Sequence, residues 1–379
     1  MNAPKILICS NYCWTIFNFR LSLLKVLKKY NYHVIGVSKH DLYSDRLKPY
    51  FSSFHNLYIN LNGISPFQEF ITFLNLFFIC VKERPKYVLS FTIKPNVYFG
   101  ILNFIFDFYL IQNVTGLGTL YNESGKLSKL ILSLYAFTSR FSHRTYFQNK
   151  DDMMLFNKTN KSFNNCTLLP GSGIDLDKFK YRSYDCDHIK NRSSTSFIFI
   201  GRILKEKGIL EFIEAANIIK RNGLDCNFYI LGFCDVKNNS ALSQSDLIKL
   251  TSNNHVKYLG STDDVRPYAC NVDCFVYPSY YREGIPRSLI EAISLGLPVI
   301  TTNKAGCREV LDEGKNGFFC NEKDPVDLSH KMIKFHNLSN PVRKSMSMHS
   351  RKKAELKFSE SFILNSYLKS LTTNETKAI

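Results

Sequence analysis

Apolar and polar positions along the chain alternate in a strand-then-helix rhythm that runs through it twice. In the first half, short apolar runs at 5–9 (KILIC), 33–37, 87–91 and 109–113 read as strands of a parallel sheet. Between the first two, a polar-aromatic loop is expected over 10–18. An amphipathic basic helix over 19–29 follows, with Leu21, Leu24 and Leu27 set among Arg20, Lys25, Lys28 and Lys29. Residues 126–144 place Leu130, Leu134, Phe137 and Phe141 at helical spacing among Lys126, Lys129, Arg140 and Arg144. Such a helix suits a core face with a wet basic side, and its composition permits docking on anionic lipid. A strand region at 146–148 and a helix over 149–156 close this half.

The second series opens with a strand at 197–200 and continues with a helix over 211–220 and strands at 227–231 and 256–259. Asp263 or Asp264 caps a short helix through Ala269, and 274–277 is the next strand. A helix over 287–295, closed by Gly296, leads into a buried strand at 297–302. Helices are expected again over 326–335 and 359–371, with a strongly basic stretch at 345–357 between them. Repeated βαβ units build Rossmann-like domains, so two such domains are expected. Residues 181–196 are polar, charged and without periodicity, which places the boundary there.

A length of 379 residues with 45% hydrophobic content fits two folded domains rather than one core. The 11 cysteines show no CxxC pair and no disulfide rhythm, and no cleavable leader is evident, so a reducing cytosol is expected. The apolar run at 74–81 is too short to span a bilayer, and the one at 97–111 is interrupted by Asn103 and Asp107. A formal charge of +17 requires an anionic partner: nucleic acid, a membrane surface or a phosphorylated substrate. No zinc-finger or RNA-binding aromatic pattern is present, which favours membrane and phosphates over nucleic acid.

The densest candidate chemistry lies at 279–302, SYYREGIPRSLIEAISLGLPVITT. Glu283 falls in a loop with Gly284, Ile285 and Pro286, and Glu291 falls about two turns along the helix that follows. The glycine permits close approach to the backbone, and the free N–H groups of the helix start suit phosphate or sugar oxygens. Alone, Glu283 reads equally well as a first-turn glutamate and Glu291 as a solvated one. Upstream, Gly201, Arg202, Lys205 and Lys207 follow a strand in GRILKEKG. An arginine forks two phosphate oxygens while a lysine adds a point charge. After the strand at 87–91, TIKPN points Thr92, Lys94 and Asn96 beyond the carboxyl end of the sheet. Thr115, Gly116 and Gly118 in VTGLGTLY offer backbone N–H groups to a phosphate, or form a plain loop. Asp175-Leu176-Asp177 and Asp185-Cys186-Asp187 match a DxD string, but capping and linker roles suffice and no metal is expected.

These residues resemble glycosyltransferase family 4, retaining enzymes of the GT-B fold. The resemblance rests on the Glu283 to Glu291 stretch, on the G-R-x4-K-G pattern from Gly201 to Gly208, and on PGSGID, which resembles the family's hinge. It implies an α/β chain of two Rossmann-like domains facing across a cleft, with a C-terminal helix crossing back to the first. The expected divisions are an acceptor domain at 1–175, a linker at 176–195, a nucleotide-sugar domain at 196–357 and a returning helix at 358–379. It further implies that Glu283 meets the transferred sugar, Glu291 the ribose, and Arg202 and Lys207 the leaving phosphate. Gly284, Ile285, Pro286, Gly201, Lys205 and Glu309 complete the donor site, with Lys94, Asn96, Thr115, Gly116 and Gly118 on the acceptor side. Many members carry a histidine just beyond the strand that here ends at Phe91, where this chain has TIKPN. Lys94 is a substitute that can reach a phosphate or carboxylate.

Within the family, TIKPN, FQNKDD and NKAGCREV are similar to bacterial enzymes that extend polyprenyl-diphosphate-linked oligosaccharides for O antigen, capsule or protein glycans. This implies a UDP-sugar donor, a lipid-linked acceptor, no cofactor or metal, and a cytoplasmic protein held to the anionic inner face of the plasma membrane. A GT-B nucleotide-sugar epimerase or soluble-acceptor transferase is the alternative, and a nucleic-acid-binding module a more distant one.

Overall fold

In the computed structural model, residues 3–60, 65–118, 125–159, 165–182, 194–234, 240–252 and 255–375 are described. The chain divides into two units, one of Met1–Gly173 with Ser361–Ile379 and one of Ile174–Glu360.

The first unit is built on seven strands: β1 (Lys5–Tyr12), β2 (His33–Lys39), β3 (Ser53–Asn56), β4 (Tyr87–Phe91), β5 (Tyr109–Val114), β6 (Arg144–Phe147) and β7 (Cys166–Leu168). They pair in the order β3-β2-β1-β4-β5-β6-β7, all parallel. Side chains alternate across the sheet, so Ile6 and Ile8 enter one apolar core while Leu7 and Cys9 enter another on the opposite face. Helices α1 (Cys13–Lys29), α2 (Pro66–Glu83), α3 (Ile93–Phe106), α4 (Lys126–Thr138) and α5 (Lys150–Thr159) belong to this unit.

Several local expectations shift. The loop expected over 10–18 is largely helix, because Cys13 and Ile16 are buried and extend the apolar stripe of Leu23, Leu24 and Leu27 by two turns. Arg20 on that stripe is buried, with its guanidinium 4.4 Å from the centre of the Phe91 ring. The helix expected over 126–144 ends at Thr138, a 3₁₀ turn spans Ser139–Phe141, and Arg144 already begins β6. Strands β3 and β7 are four and three residues long and carry no continuous apolar run to announce them. TIKPN opens a helix: Thr92 is its N-cap and Ile93 its first residue.

The second unit has six strands: β8 (Thr195–Ile200), β9 (Cys226–Leu231), β10 (Val256–Tyr258), β11 (Cys274–Tyr277), β12 (Val299–Thr302) and β13 (Gly317–Cys320). Their order is β10-β9-β8-β11-β12-β13, again all parallel. Helices α6 (Ile209–Arg221), α7 (Gln244–Thr251), α8 (Arg287–Ser294), α9 (Pro325–His336) and α10 (Asn340–Lys357) accompany them. The strand order reverses direction between β8 and β11, and ligands of such sheets bind beyond the carboxyl ends at that point. The loops after these two strands are GRILKEKG and SYYREGIP.

Residues 176–182, where the linker was expected to begin, together with Ile174 just before them, are bound into this unit. The Ile174 N–H donates to Phe358 O at 2.8 Å, Arg182 N–H to Leu295 O at 3.1 Å, and the Arg351 guanidinium to Phe179 O at 2.7 Å. The basic stretch at 345–357 is the second part of α10, and its Lys353 is buried against Asp312 at 2.8 Å. The last helix, α11 (Glu360–Glu375), returns to the first unit. Ile363, Tyr367 and Leu371, one helical turn apart, enter the same core as Ile6 and Ile8. This is the GT-B plan, with the C-terminal helix crossing back.

Candidate functional site

Where β8 ends, Gly201 is hemmed in on two sides. A Cβ on it would lie 3.2 Å from the Tyr277 ring, and a Cβ on Gly232 would lie 1.8 Å from Gly201 O. The chain then passes Arg202 and Lys205, both exposed, and makes a 3₁₀ turn over Lys205–Lys207 that ends at Gly208. Gly208 has φ +79, and a Cβ there would strike Pro278 O at 2.3 Å, so only glycine lets this turn lie against the end of β11. Two backbone donors converge on Glu206 O and fix that contact, Tyr280 N–H at 3.1 Å and Tyr281 N–H at 3.2 Å, with Ser279 Oγ 3.2 Å away.

This docking carries Lys207 to Glu283. Lys207 Nζ lies 2.7 Å from Glu283 Oε1, with the lysine side chain only 4% exposed and the carboxylate 16%. The same carboxylate oxygen accepts from Tyr277 Oη at 3.0 Å and Ser279 Oγ at 3.1 Å. Lys207 also sits 4.8 Å from the centre of the Tyr281 ring. Burial, and then the Glu283 charge, push the Tyr277 phenol far above its ordinary pKa, with Arg202 acting weakly the other way. Tyr277 therefore stays a hydrogen-bond donor to Glu283 at any working pH. The result is an anion–cation pair largely removed from water, with Glu283 leading directly into the loop 284–286.

That loop is backed by a second one. Gly306, φ +85, packs so closely that a Cβ would meet Gly284 O at 2.1 Å and Glu283 O at 2.8 Å. Thr301 Oγ1 donates to Tyr277 O at 2.6 Å, and Thr302 Oγ1 to Ser279 O, so β12 secures the start of the loop. Gly284, Ile285 and Pro286 are buried, and Pro286 caps α8, which begins at Arg287 as expected. Leu289, Ile290, Ala292 and Ile293 anchor the helix in the core. On its outer face Glu291 Oε1 accepts from Arg287 Nε at 3.1 Å. Burial raises the Glu291 carboxyl pKa, with Arg287 pulling it back in part. Glu309 is half-buried in the short 3₁₀ turn Arg308–Val310 that follows Gly306.

The structure thus joins Lys207 and Glu283 in direct contact, sets Gly201 against Tyr277 and Gly284 against Gly306, and places Glu291 just over one turn into the helix that Pro286 caps. Tyr277 and Ser279 are the participants that sequence reasoning missed, whereas Gly306, whose amide was expected to support the site together with that of Ala305, does pack against it. Tyr277 reads as one more apolar residue of a buried strand. Asp175, from the first DxD string, accepts from the N–H groups of Asp177 at 3.0 Å and Lys178 at 2.9 Å, a capping role. The second string, at 185–187, lies outside the described residues.

The candidates of the first unit fall differently. Asn96, expected beyond the sheet end, is fully buried. Its amide donates to Asn113 O at 2.9 Å and Tyr135 Oη at 2.5 Å, while Ser90 Oγ donates to its Oδ1 at 2.6 Å. It braces α3 against the sheet, because that helix begins three residues before it. Lys94 Nζ is engaged by Glu69 Oε1 at 2.5 Å and Asn60 O at 2.7 Å. Thr115 and Gly116 are half-buried just after β5 and Gly118 is buried; Leu117 N–H between them donates to Asp152 Oδ2 at 3.2 Å. Thr92, by contrast, holds φ +75 and ψ 159, a region normally left to glycine, and donates to Asn11 Oδ1 at 2.8 Å. It lies at the β1–β4 reversal of the first sheet, the counterpart of the β8–β11 reversal.

Residues 185–353 match the family model described as glycosyl transferases group 1. The chain is 26% identical over 371 residues to the N,N'-diacetylbacillosaminyl-diphospho-undecaprenol alpha-1,3-N-acetylgalactosaminyltransferase of Campylobacter jejuni, covering 94% of this chain and 95% of that protein. It is 27% identical over 357 residues to the capsular polysaccharide biosynthesis glycosyltransferase CapM of Staphylococcus aureus, covering 90% of each. Among solved structures, sucrose-phosphate synthase from Thermosynechococcus elongatus aligns over 100% of both chains with a TM-score of 0.78 at 17% identity. HepE of Anabaena, in complex with UDP, aligns over 98% of this chain and 100% of its own with a TM-score of 0.75, also at 17% identity. Residues 185–353 are thus similar to group 1 glycosyl transferases, and along nearly its whole length the chain is similar to bacterial glycosyltransferases, one of them of capsular polysaccharide biosynthesis.

Proposed function

We propose that this protein is a retaining, metal-independent glycosyltransferase of family 4 that moves a hexose or N-acetylhexosamine from a UDP-sugar to a polyprenyl-diphosphate-linked acceptor. The observation that carries the reading is the Lys207–Glu283 pair at the β8–β11 reversal, braced by Tyr277, Ser279 and the Glu206 carbonyl. Leaving UDP gains negative charge as the glycosidic bond breaks, so fixed cations lower that barrier. In this reading Lys207 meets a phosphate oxygen of the donor, and Arg202, on the same loop, adds a two-pronged donor. Glu283 faces hydroxyls of the transferred sugar, while Glu291 accepts from the ribose diol, a group matched to a carboxylate. Gly284 lets the sugar approach the backbone. Front-face attack, with the leaving phosphate taking the acceptor proton, needs no side-chain nucleophile.

The donor reading is supported by HepE, whose solved complex holds UDP, and the acceptor reading by the Campylobacter enzyme, whose name specifies a diphospho-undecaprenol substrate. Peripheral attachment to an anionic cytoplasmic membrane face follows from such an acceptor together with the charge of +17. The test is to incubate the protein with a panel of UDP- and GDP-sugars and a short polyprenyl-diphosphate acceptor, read by mass spectrometry. Addition of one sugar mass from a UDP donor, lost in Lys207→Ala, is the expected result. Turnover of the UDP-sugar with no product on any lipid acceptor would overturn the acceptor assignment.

A further inference from the structure

Helix α2 (Pro66–Glu83) is apolar on both sides. Leu76, Ile79 and Cys80 enter the core of the first unit. On the opposite side Phe67 and, three, four, eleven and fourteen residues after it, Phe70, Ile71, Phe78 and Val81 are all exposed, which puts them on one stripe. Single exposed apolar side chains are ordinary, but a four-turn stripe free of charge is not. The stripe continues onto neighbouring helices. Phe78 packs on Phe77 at 5.7 Å, and Phe77 on Phe106 at the end of α3 at 5.3 Å. Two residues earlier in the last turn of α3, Phe104 is 78% exposed and meets Phe141 at 5.7 Å, which meets exposed Phe137 of α4 at 5.5 Å. Leu130, two turns before Phe137, is 65% exposed.

Basic residues border this apolar surface. Lys82 lies beside the stripe at the end of α2, Lys126 and Lys129 occupy the first turn of α4, and the Arg140 guanidinium sits 5.9 Å from the Phe137 ring centre. We infer that the exposed faces of α2, the end of α3 and α4 form one surface that lies in the headgroup region of an anionic bilayer, with the phenylalanines inserted and the lysines and Arg140 at the phosphates. The inference deepens the proposed membrane attachment by naming the surface that makes it. A bilayer suits the surface because its apolar part is convex helix rather than groove, and its charged rim has one dominant sign. The run at 74–81, too short to cross a bilayer, is long enough to lie in its plane.

The test is co-flotation of the full chain with vesicles of phosphatidylethanolamine and phosphatidylglycerol, and separately with phosphatidylcholine alone. Phe70→Ser with Phe78→Ser is expected to weaken binding to both vesicle types about tenfold or more. Lys126→Glu with Lys129→Glu is expected to weaken binding to the anionic vesicles only, and raised salt to do the same. Both pairs are exposed, so circular dichroism and melting should stay at wild-type values, and UDP-sugar binding in the absence of lipid should be unchanged. Vesicle binding unaltered by either pair overturns the inference. So does a lipid-free dimer that Phe70→Ser with Phe78→Ser converts to monomer while flotation persists, because a second copy would then be the occupant. Loss of flotation needs no glycosyl acceptor, so a wrong acceptor assignment leaves this result intact.

Discussion

Glu283 holds a lysine that is almost wholly removed from water, so the two side chains cannot be judged one at a time. Removing the carboxylate by Glu283→Ala leaves the Lys207 ammonium buried beside the Tyr281 ring, and breaking a buried pair in this way costs about 3 kcal/mol. Glu283→Gln keeps acceptor capacity for Tyr277 and Ser279 and should melt closer to wild type, yet both variants should lose at least about a hundredfold in transfer rate. Melting curves set beside initial rates separate the two effects, and an active Glu283→Gln would remove the carboxylate from the chemistry. Glu291 makes a different demand. Burial raises its pKa above the ordinary carboxyl value of about 4.3, and Arg287 compensates only in part, so the charged form is disfavoured in the fold. Its contribution to stability is fully present below the unfolded pKa and is lost as pH rises through the raised folded value. Glu291→Gln should therefore be the more stable protein at pH near 8, with the advantage shrinking towards pH 4, while its KM for the donor rises about tenfold. Urea melts across pH test the sign; a wild type that gains on the variant as pH rises would contradict it.

At the scale of elements, the site depends on loops that only glycine lets touch. Gly306→Ala adds a Cβ 2.1 Å from Gly284 O at a residue with φ +85, so the 283–286 loop must move. The expected outcome is a fall of about tenfold or more in kcat/KM, with faster hydrogen exchange confined to the two loops while β11 and β12 keep their protection. Protection lost throughout the sheet would instead make Gly306 a determinant of the fold. The strands that frame these loops were legible in the sequence because each is a run of apolar residues covered on both faces, as in β8, β11 and β12. Strands β3 and β7 were not, since an edge strand of three or four half-buried residues leaves no run to read. The same limit applied to Asn96 and Lys94. Once Ile93 starts a helix, Asn96 turns inward to Ser90 and Asn113 and Lys94 turns to Glu69, and no local pattern in TIKPN discloses that. Lys207 and Glu283 were legible as types at a spacing, but their pairing was not, because 76 residues separate them and only the β8–β11 adjacency brings them together.

For the whole molecule, the chain order and the unit order disagree at the C-terminus. Residues 361–379 follow the second unit in sequence yet belong to the first. Tyr367 shows how firmly: it is buried, its hydroxyl donates to Asn113 Oδ1 at the end of β5, and its ring meets Tyr146 of β6 at 5.3 Å. Burial pushes its phenol up to about 12, so the hydroxyl remains a donor throughout the working range. Tyr146 Oη in turn bonds Ser366 O at 2.9 Å and Ser370 Oγ at 2.6 Å. A helix so bound completes a core rather than decorating it, and truncating a buried aromatic of that kind costs about 3–5 kcal/mol. Tyr367→Ala should therefore accelerate hydrogen exchange in β1, β4, β5 and β6 by two to three powers of ten or more, about what that energy predicts. The strands β8 to β13 make none of these contacts, and they should keep their protection, as should UDP binding measured on the same variant. Equal loss in both sheets would show that the last helix supports the second unit as well, and the assignment of 361–379 to the first unit alone would fall.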